Sequence, residues 1–155
     1  MNGITYYTDK KLAIIFSINP HVDFRYPFPD DTEEQIADKL AKPFINMEEV
    51  TVKIIYRKNG ITHQYCFVIP ANYTWDGASV PRLFWRLIGP KTDPRFMIAS
   101  MVHDVLCENH EYIDFDRYLS TLVLEKLCKT GGTCSWKRWA IKHGTDNAQK
   151  IRGGW

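Results

Sequence analysis

A histidine beside an aspartate, His103-Asp104, interrupts the otherwise apolar residues 97–106. Adjacent side chains on a helix point about 100° apart, so each member of the pair needs its own partner if both are buried. We expect His103 to act as a general base whose second ring nitrogen is held by the carboxylate of Asp116, because an imidazole must be oriented before it can transfer protons. The same contact could instead be a buried structural pair without a catalytic role.

A second polar group lies in residues 75–81, whose sequence is Trp-Asp-Gly-Ala-Ser-Val-Pro. Small residues between Asp76 and Pro81 let the backbone bend sharply, and N–H groups at a helix start can receive an anion or a carbonyl oxygen. This pattern makes Asp76 a candidate catalytic residue and Ser79 a candidate binding residue. Capping chemistry explains the same residues without function, since Ser79 suits a helix N-cap and Asp76 suits an Asx turn.

Further binding candidates lie close to these two groups in the sequence. Asp104 could pair with Arg95, Arg82 or Arg86, or it could contact a metal. Trp75 and Trp85 could form the rim of a pocket, although large aromatic residues more often belong to the core. We therefore include Asp104, Arg95, Trp75 and Trp85 among the predicted binding residues.

Metal binding is compatible with these side chains but is not required by them. A divalent metal, if bound, would be held by His103, Asp104 and Asp76. His103, Cys107 and His110 also fall at i, i+4 and i+7, which superficially resembles a zinc-binding face. This zinc pattern is weak, because a cysteine four residues from a histidine is common by chance.

The elements that must position these residues predict an α+β fold. Residues 50–58 and 61–69 flank Asn59-Gly60, a dipeptide that suits the type I′ turn of a two-residue β-hairpin. We predict an N-terminal antiparallel β-sheet that contains this hairpin, packed with a C-terminal bundle of three to four helices. The helices are predicted at about residues 80–88, 92–107, 114–129 and 135–143.

The domain organisation follows from length and pattern. At 155 residues the chain has the size of one domain, so we expect residues 1–155 to form a single domain. Residues 20–29 are rich in proline and aromatic residues and are predicted to be irregular. A short capped helix is predicted as an insertion at about residues 30–42. The role of residues 19–48 stays open.

Composition and charge argue against several functional classes. The chain has 20 Lys and Arg residues and 18 Asp and Glu residues, and the resulting charge of +2 is no strong signal for nucleic-acid binding. The N-terminus lacks the pattern of a signal peptide, and the longest apolar run is too short to span a membrane. Four cysteines without a CxxC pair favour reduced thiols.

Several short motifs follow one another in a fixed order: residues 75–81, Phe84-Trp85, Ile88-Gly89-Pro90, Arg95, residues 102–106, residues 115–118, and a basic aromatic segment ending at His143-Gly144. This ordered set resembles an uncharacterised bacteriophage and prophage family, labelled domain of unknown function 1353, over about residues 65–144. The resemblance implies that Asp76, His103, Asp104 and Asp116 are site residues. The chain departs from the family pattern at Cys107, where a tyrosine is usual.

Two functions of different classes are consistent with these observations. The first is a phage or prophage accessory protein that acts as a small hydrolase-like enzyme, in which His103 activates water, Asp116 orients it, and Asp76 or Asp104 holds a metal or stabilises the imidazolium. The second is a non-enzymatic phage protein, either a virion or assembly component or an inhibitor that binds a host protein. The partner would then be a host or phage protein. In both cases we expect a cytoplasmic location in the infected host cell or a place in the virion.

Overall fold

The computed structural model describes residues 3–77, 96–113, 115–132, 138–139 and 142–143. The helix predicted at residues 80–88 lies outside these ranges, and so do the predicted binding residues Ser79, Trp85 and Arg95. Of the helix predicted at residues 135–143, the described residues are 138–139 and 142–143, and these are helical.

The strands form two antiparallel sheets. In chain order they are β1 (Ile4–Thr8), β2 (Leu12–Phe16), β3 (Val22–Phe24), β4 (Phe44–Asn46), β5 (Val50–Lys58), β6 (Ile61–Ile69) and β7 (Thr74–Trp75). The first sheet has the strand order β1-β2-β5-β6, and the second has the order β3-β4-β7.

The β5–β6 hairpin has the predicted bounds and turn. Lys58 pairs with Ile61, so the loop consists of two residues, and both of them have positive φ angles, 52° at Asn59 and 75° at Gly60. These angles are those of the twisted type I′ turn. The predicted hairpin is therefore confirmed. Strand β1 also pairs antiparallel with β2, and this pairing contains a β-bulge between Thr5 and Tyr7.

The second sheet corrects the prediction that residues 20–29 are irregular. Val22 pairs with Asn46 and Phe24 pairs with Phe44, so β3 is a strand within this range. Strand β4 then pairs with β7, where Phe44 lies opposite Trp75. Strands of two or three residues are too short to show an alternating pattern in the sequence, and their pairing is fixed by tertiary contacts such as the 5.1 Å separation of the Phe24 and Phe44 rings.

The helices confirm the α+β class and lie mainly in the C-terminal half. They are α1 (Glu33–Ala41), α2 (Met97–Glu108), α3 (His110–Ile113) and α4 (Arg117–Thr130). Within the described residues, three helices follow the strands. Helix α1 is the predicted capped insertion, since Thr32 and Gln35 form a capping box at its start, and it contributes no buried residue.

The core joins both sheets to the helices. Alternate residues of β2 and β5 are buried, as expected for strands with one face against a core, and they belong to one hydrophobic cluster with buried residues of α2 and α4. The hydroxyl of Thr130, at the end of α4, donates a 2.8 Å hydrogen bond to the carbonyl oxygen of Tyr6 in β1. Among the helices described here, none has the length and apolar character needed to cross a membrane.

Candidate acid–base site

Helix α2 carries a row of polar residues on an otherwise apolar surface. Ser100, Asp104 and Glu108 follow one another at intervals of four residues, so they lie on one side of the helix. Each of them meets a residue of the short segment 73–76 that contains β7. This polar row therefore joins the second sheet to the helix.

Trp75 fixes the position of the segment. Its indole N–H donates a 2.9 Å hydrogen bond to the hydroxyl of Ser100, which in turn donates to the carbonyl oxygen of Met97. The indole is buried and stacks between Phe44 and Tyr73, at ring separations of 5.5 and 5.9 Å. The predicted binding residue Trp75 thus belongs to the core, and it holds the next residue, Asp76, beside α2.

Asp76 and Asp104 form a carboxyl pair. Asp76 is exposed, whereas the side chain of Asp104 is 14% exposed, and a side-chain hydrogen bond joins them. Two ionised carboxylates are both hydrogen-bond acceptors, so a hydrogen bond between the two side chains forms only when one of them carries a proton.

The surroundings of Asp104 favour its protonated form. Burial is the largest cause that raises the pKa of this carboxyl well above its ordinary value, followed by the negative charge of Asp76, the hydrogen bond with Asp76, and the charge of Glu108. Lys42, the C-cap residue of α1, acts in the opposite direction. Asp104 therefore retains its proton to a higher pH than an ordinary aspartate does.

Tyr73 and Glu108 extend the same polar row. The phenol of Tyr73 donates a 3.1 Å hydrogen bond to Oε2 of Glu108. Burial raises the pKa of Tyr73, and the charges of Glu108 and Asp104 raise it further, so its proton stays in place. Tyr73 consequently gives its single O–H proton to Glu108 and joins the segment 73–76 to the end of α2.

His103 is buried next to Asp104, away from solvent. It is 3% exposed, and its Nδ1 atom is 3.8 Å from Oδ1 of Asp104. Both ring nitrogens are 3.7 Å from Sγ of Cys107, one turn along α2. The structure thus brings His103 and Asp104 together, with the imidazole inside the protein and the carboxyl nearer to solvent.

Asp116 occupies a different place. Its Oδ1 atom accepts a 2.7 Å hydrogen bond from the backbone N–H of Leu119, so Asp116 is the N-cap of α4, and this cap explains why α4 begins at Arg117 instead of residue 114. Its charge also helps to raise the pKa of Tyr56, after the larger effects of burial and Tyr118. Across the described part of the chain, no hydrogen bond or ion pair links Asp116 with His103.

A metal ion in a protein needs several donor side chains that converge on one point. In the ranges that the structure covers, no group of three or more His, Cys, Asp or Glu side chains is arranged to hold a metal ion. His110 lies in α3, beyond the end of α2, where its Nδ1 atom is 2.8 Å from the carbonyl oxygen of Cys107.

The sequence pattern of one protein family, described as protein of unknown function (DUF1353), matches residues 48–143, which is more than half of the chain. The chain belongs to this family. The matched region begins between β4 and β5 and contains Asp76, His103, Asp104 and Asp116, whereas α1 and Lys42 lie before it. The family region thus supplies the carboxyl pair, and the preceding insertion adds the cation.

A curated relative shares a shorter segment. The chain is 40% identical over 40 residues to "Uncharacterized protein y4jT" of Sinorhizobium fredii (strain NBRC 101917 / NGR234). The aligned segment covers 26% of this chain and 12% of the relative's length. No solved structure matches the chain.

Three members of the site were not found by sequence reasoning: Tyr73, Glu108 and Lys42. The spacing of Ser100, Asp104 and Glu108 was a usable signal, because polar residues at i, i+4 and i+8 mark one side of an apolar helix. Tyr73 and Lys42 carry no such signal, since their approach to α2 depends on how the second sheet is placed.

Proposed function

We propose that this protein is a small hydrolase-like enzyme in which the Asp76–Asp104 pair transfers protons. The observation that carries the proposal is the hydrogen bond between an exposed carboxyl and a largely buried one whose pKa is raised. Two carboxyl groups in such unequal environments can hold different protonation states at one pH, as general acid–base catalysis requires.

The proposed step balances protons within the pair. The ionised Asp76 accepts a proton from a water molecule, whose oxygen attacks the electrophilic centre of the substrate. The protonated Asp104 donates its proton to the leaving group as the scissile bond breaks. Asp76 then holds one proton and Asp104 holds none, so transfer along their hydrogen bond restores the starting state.

Neighbouring groups support each protonation state. Tyr73 stays neutral and donates its single O–H proton to Glu108, so it adds no further charge next to the pair. The Nδ1 atom of His103 lies 3.8 Å from Oδ1 of Asp104, so the imidazole is next to the carboxylate that forms when Asp104 gives up its proton. His103 and Asp104 remain the proposed His-Asp centre, with Asp76 as the member that solvent reaches.

The experiment that tests this proposal measures hydrolysis of chromogenic carboxylic esters, phosphodiesters, amides and glycosides. Asp76→Asn and Asp104→Asn should each lower the rate of the accepted substrate about 100-fold or more, because a positioned general acid or base contributes at least that much. Asp30→Asn, which neutralises an exposed aspartate outside the site, is the matched control and should leave the rate unchanged. Rates unaffected by both site variants would refute the proposal.

Binding without turnover is the second candidate function. The observation that favours it is that the polar residues around the pair already have partners within the protein: Trp75 with Ser100, and Tyr73 with Glu108. In that case the row fastens β7 to α2, and the site variants would lower the melting temperature with no activity to lose.

We further propose a phage or prophage origin, which rests on the resemblance of residues 65–144 to a family of that kind. The protein would then work in the cytoplasm of the infected host cell or in the virion, and a host or phage protein would be its partner. Mass spectrometry of particles purified after prophage induction, compared with the host cytosol, distinguishes the two locations.

A further inference from the structure

The segment before the family region presents apolar side chains to solvent. We define the acidic arm as residues 26–42, which contain α1 and the chain that leads into it. Tyr26, Phe28 and Leu40 are 65%, 60% and 66% exposed. They account for three of the nine exposed large hydrophobic side chains among the described residues, in a segment of seventeen residues. Such clustering in one segment is typical of an interaction surface.

The acidic arm contributes no buried side chain to the hydrophobic core. Helix α1 contributes no buried residue, and the whole arm lies before residue 48, where the family match begins. A helix of nine residues is marginal on its own in water, and α1 buries no side chain that would stabilise it by packing.

Local contacts hold the arm in one shape. Lys39 bonds to Asp31 at 2.6 Å and covers the ring of Phe28 at 4.4 Å. Arg25, just before the arm, reaches Asp38 at 2.7 Å and the carbonyl oxygen of Lys42 at 3.0 Å. An ordered surface loses less conformational entropy on binding than a flexible one, so the arm is prepared for association.

Charge indicates what the arm binds. It contains five acidic and two basic residues, a net charge of −3, within a chain whose net charge is +2. Glu33 and Glu34 in the first turn and Asp38 are exposed in the same segment as the apolar side chains. A partner that matches both features needs an apolar surface flanked by lysine or arginine.

We propose that the acidic arm is a docking surface for another protein, which presents an apolar surface flanked by basic residues. The binding energy comes from covering Phe28, Leu40 and Tyr26, and the carboxylates of α1 select the basic partner. This inference concerns binding and is independent of the proposed reaction at Asp76 and Asp104.

The test uses the full chain and a fluorescein-labelled amphipathic helical peptide built from leucine and lysine, with a leucine–glutamate peptide as the charge control. Fluorescence anisotropy should show binding of the basic peptide alone, weakening as salt is added. Phe28→Ser and Leu40→Ser should each weaken binding about tenfold. Ile61→Ser, which alters an equally exposed apolar residue in β6, is the matched control and should bind as the wild type does.

Neutralising the arm separates charge from apolar contact. Glu33→Gln with Glu34→Gln should weaken binding of the basic peptide and reduce its dependence on salt, while the melting curve stays close to that of the wild type because these residues are exposed. Equal binding of both peptides, or binding unchanged by Phe28→Ser and Leu40→Ser, would overturn the proposal. So would a wild-type dimer in sedimentation that Leu40→Ser dissociates, or adsorption of the wild type to phospholipid vesicles through the arm.

Discussion

The indole N–H of Trp75 donates a 2.9 Å hydrogen bond to the hydroxyl of Ser100, one helical turn before Asp104. Both side chains are buried, and they connect the last strand of the second sheet to helix α2. Because Asp76 follows Trp75 directly, this single contact determines where the exposed member of the carboxyl pair lies. The geometry of the candidate site thus depends on packing in the core.

Ser100→Ala should destabilise the protein by about 1–3 kcal/mol, because it leaves the buried indole N–H of Trp75 without an acceptor. Ser120→Ala is a matched control, since Ser120 is equally buried but its hydroxyl donates to the Arg117 carbonyl in its own helix. Urea denaturation compares the two free energies of unfolding. A smaller loss in Ser100→Ala than in Ser120→Ala would contradict the structural role given to this hydrogen bond.

Asp104→Asn should change how stability depends on pH. Since the pKa of Asp104 is raised in the folded protein, its contribution to stability is complete below the pKa of an unfolded aspartate, about 3.9, and is lost as the pH rises through the folded pKa. Asparagine carries no charge and can donate an N–H group to Asp76. The free energy of unfolding of Asp104→Asn relative to the wild type should therefore rise with pH.

Chemical denaturation at a series of pH values above about 4 measures this difference. Asp30→Asn again serves as the control, because Asp30 is exposed and distant in sequence from the pair. A difference between Asp104→Asn and the wild type that does not vary with pH would show that Asp104 is not the group holding the shared proton.

Asp116→Ala should cost about 1 kcal/mol of stability through loss of the α4 N-cap, while Asp116→Asn should keep the cap and most of the stability. Thermal unfolding followed by circular dichroism measures both. These two Asp116 variants also test the hypothesis that Asp116 orients His103. Turnover that falls in Asp116→Asn at unchanged stability would support that role, whereas turnover that follows stability alone would limit Asp116 to capping.

The thiols should differ in reactivity. Cys66 is exposed, whereas Cys128 is buried and its pKa is raised to about 12, chiefly by burial. Because the thiolate is the reactive form, iodoacetamide should label Cys66 in the native protein and Cys128 only after unfolding. Mass spectrometry of peptides from native and denatured samples checks this, with Cys66→Ser as the control. Native labelling of Cys128 at the rate of Cys66 would contradict the buried environment.

The parts of the fold that were predicted from the sequence are those specified by local chemistry. Asn59-Gly60 defines the hairpin turn through its positive φ angles, and Thr32 with Gln35 marks the start of α1. The β3-β4-β7 sheet was missed because its short strands carry no periodicity, and its pairs join residues up to about thirty positions apart. Patterns of neighbouring residues cannot predict pairings between residues that are so far apart in the sequence.

The residues of the candidate site were likewise predicted only where local sequence chemistry marks them. Asp76 and Asp104 were selected because an acid in a small-residue turn and an acid in an apolar helix both need partners. Tyr73 and Glu108 were not selected as site residues, since their hydrogen bond joins two residues that are 35 positions apart in the sequence. The position of His103 behind Asp104, and of Asp116 at the start of α4, depends on how the helices pack and could not be read from spacing.

The hydrogen bond from Thr130 to Tyr6 joins residues 124 positions apart, near the two ends of the described chain. The entropy lost in closing a loop grows with its length, so this contact should form late, whereas the β5–β6 hairpin closes over two residues and should form early. During synthesis, the apolar face of β1 and β2 therefore stays exposed until α4 has left the ribosome. This interval is when the protein is most exposed to aggregation and most dependent on chaperones.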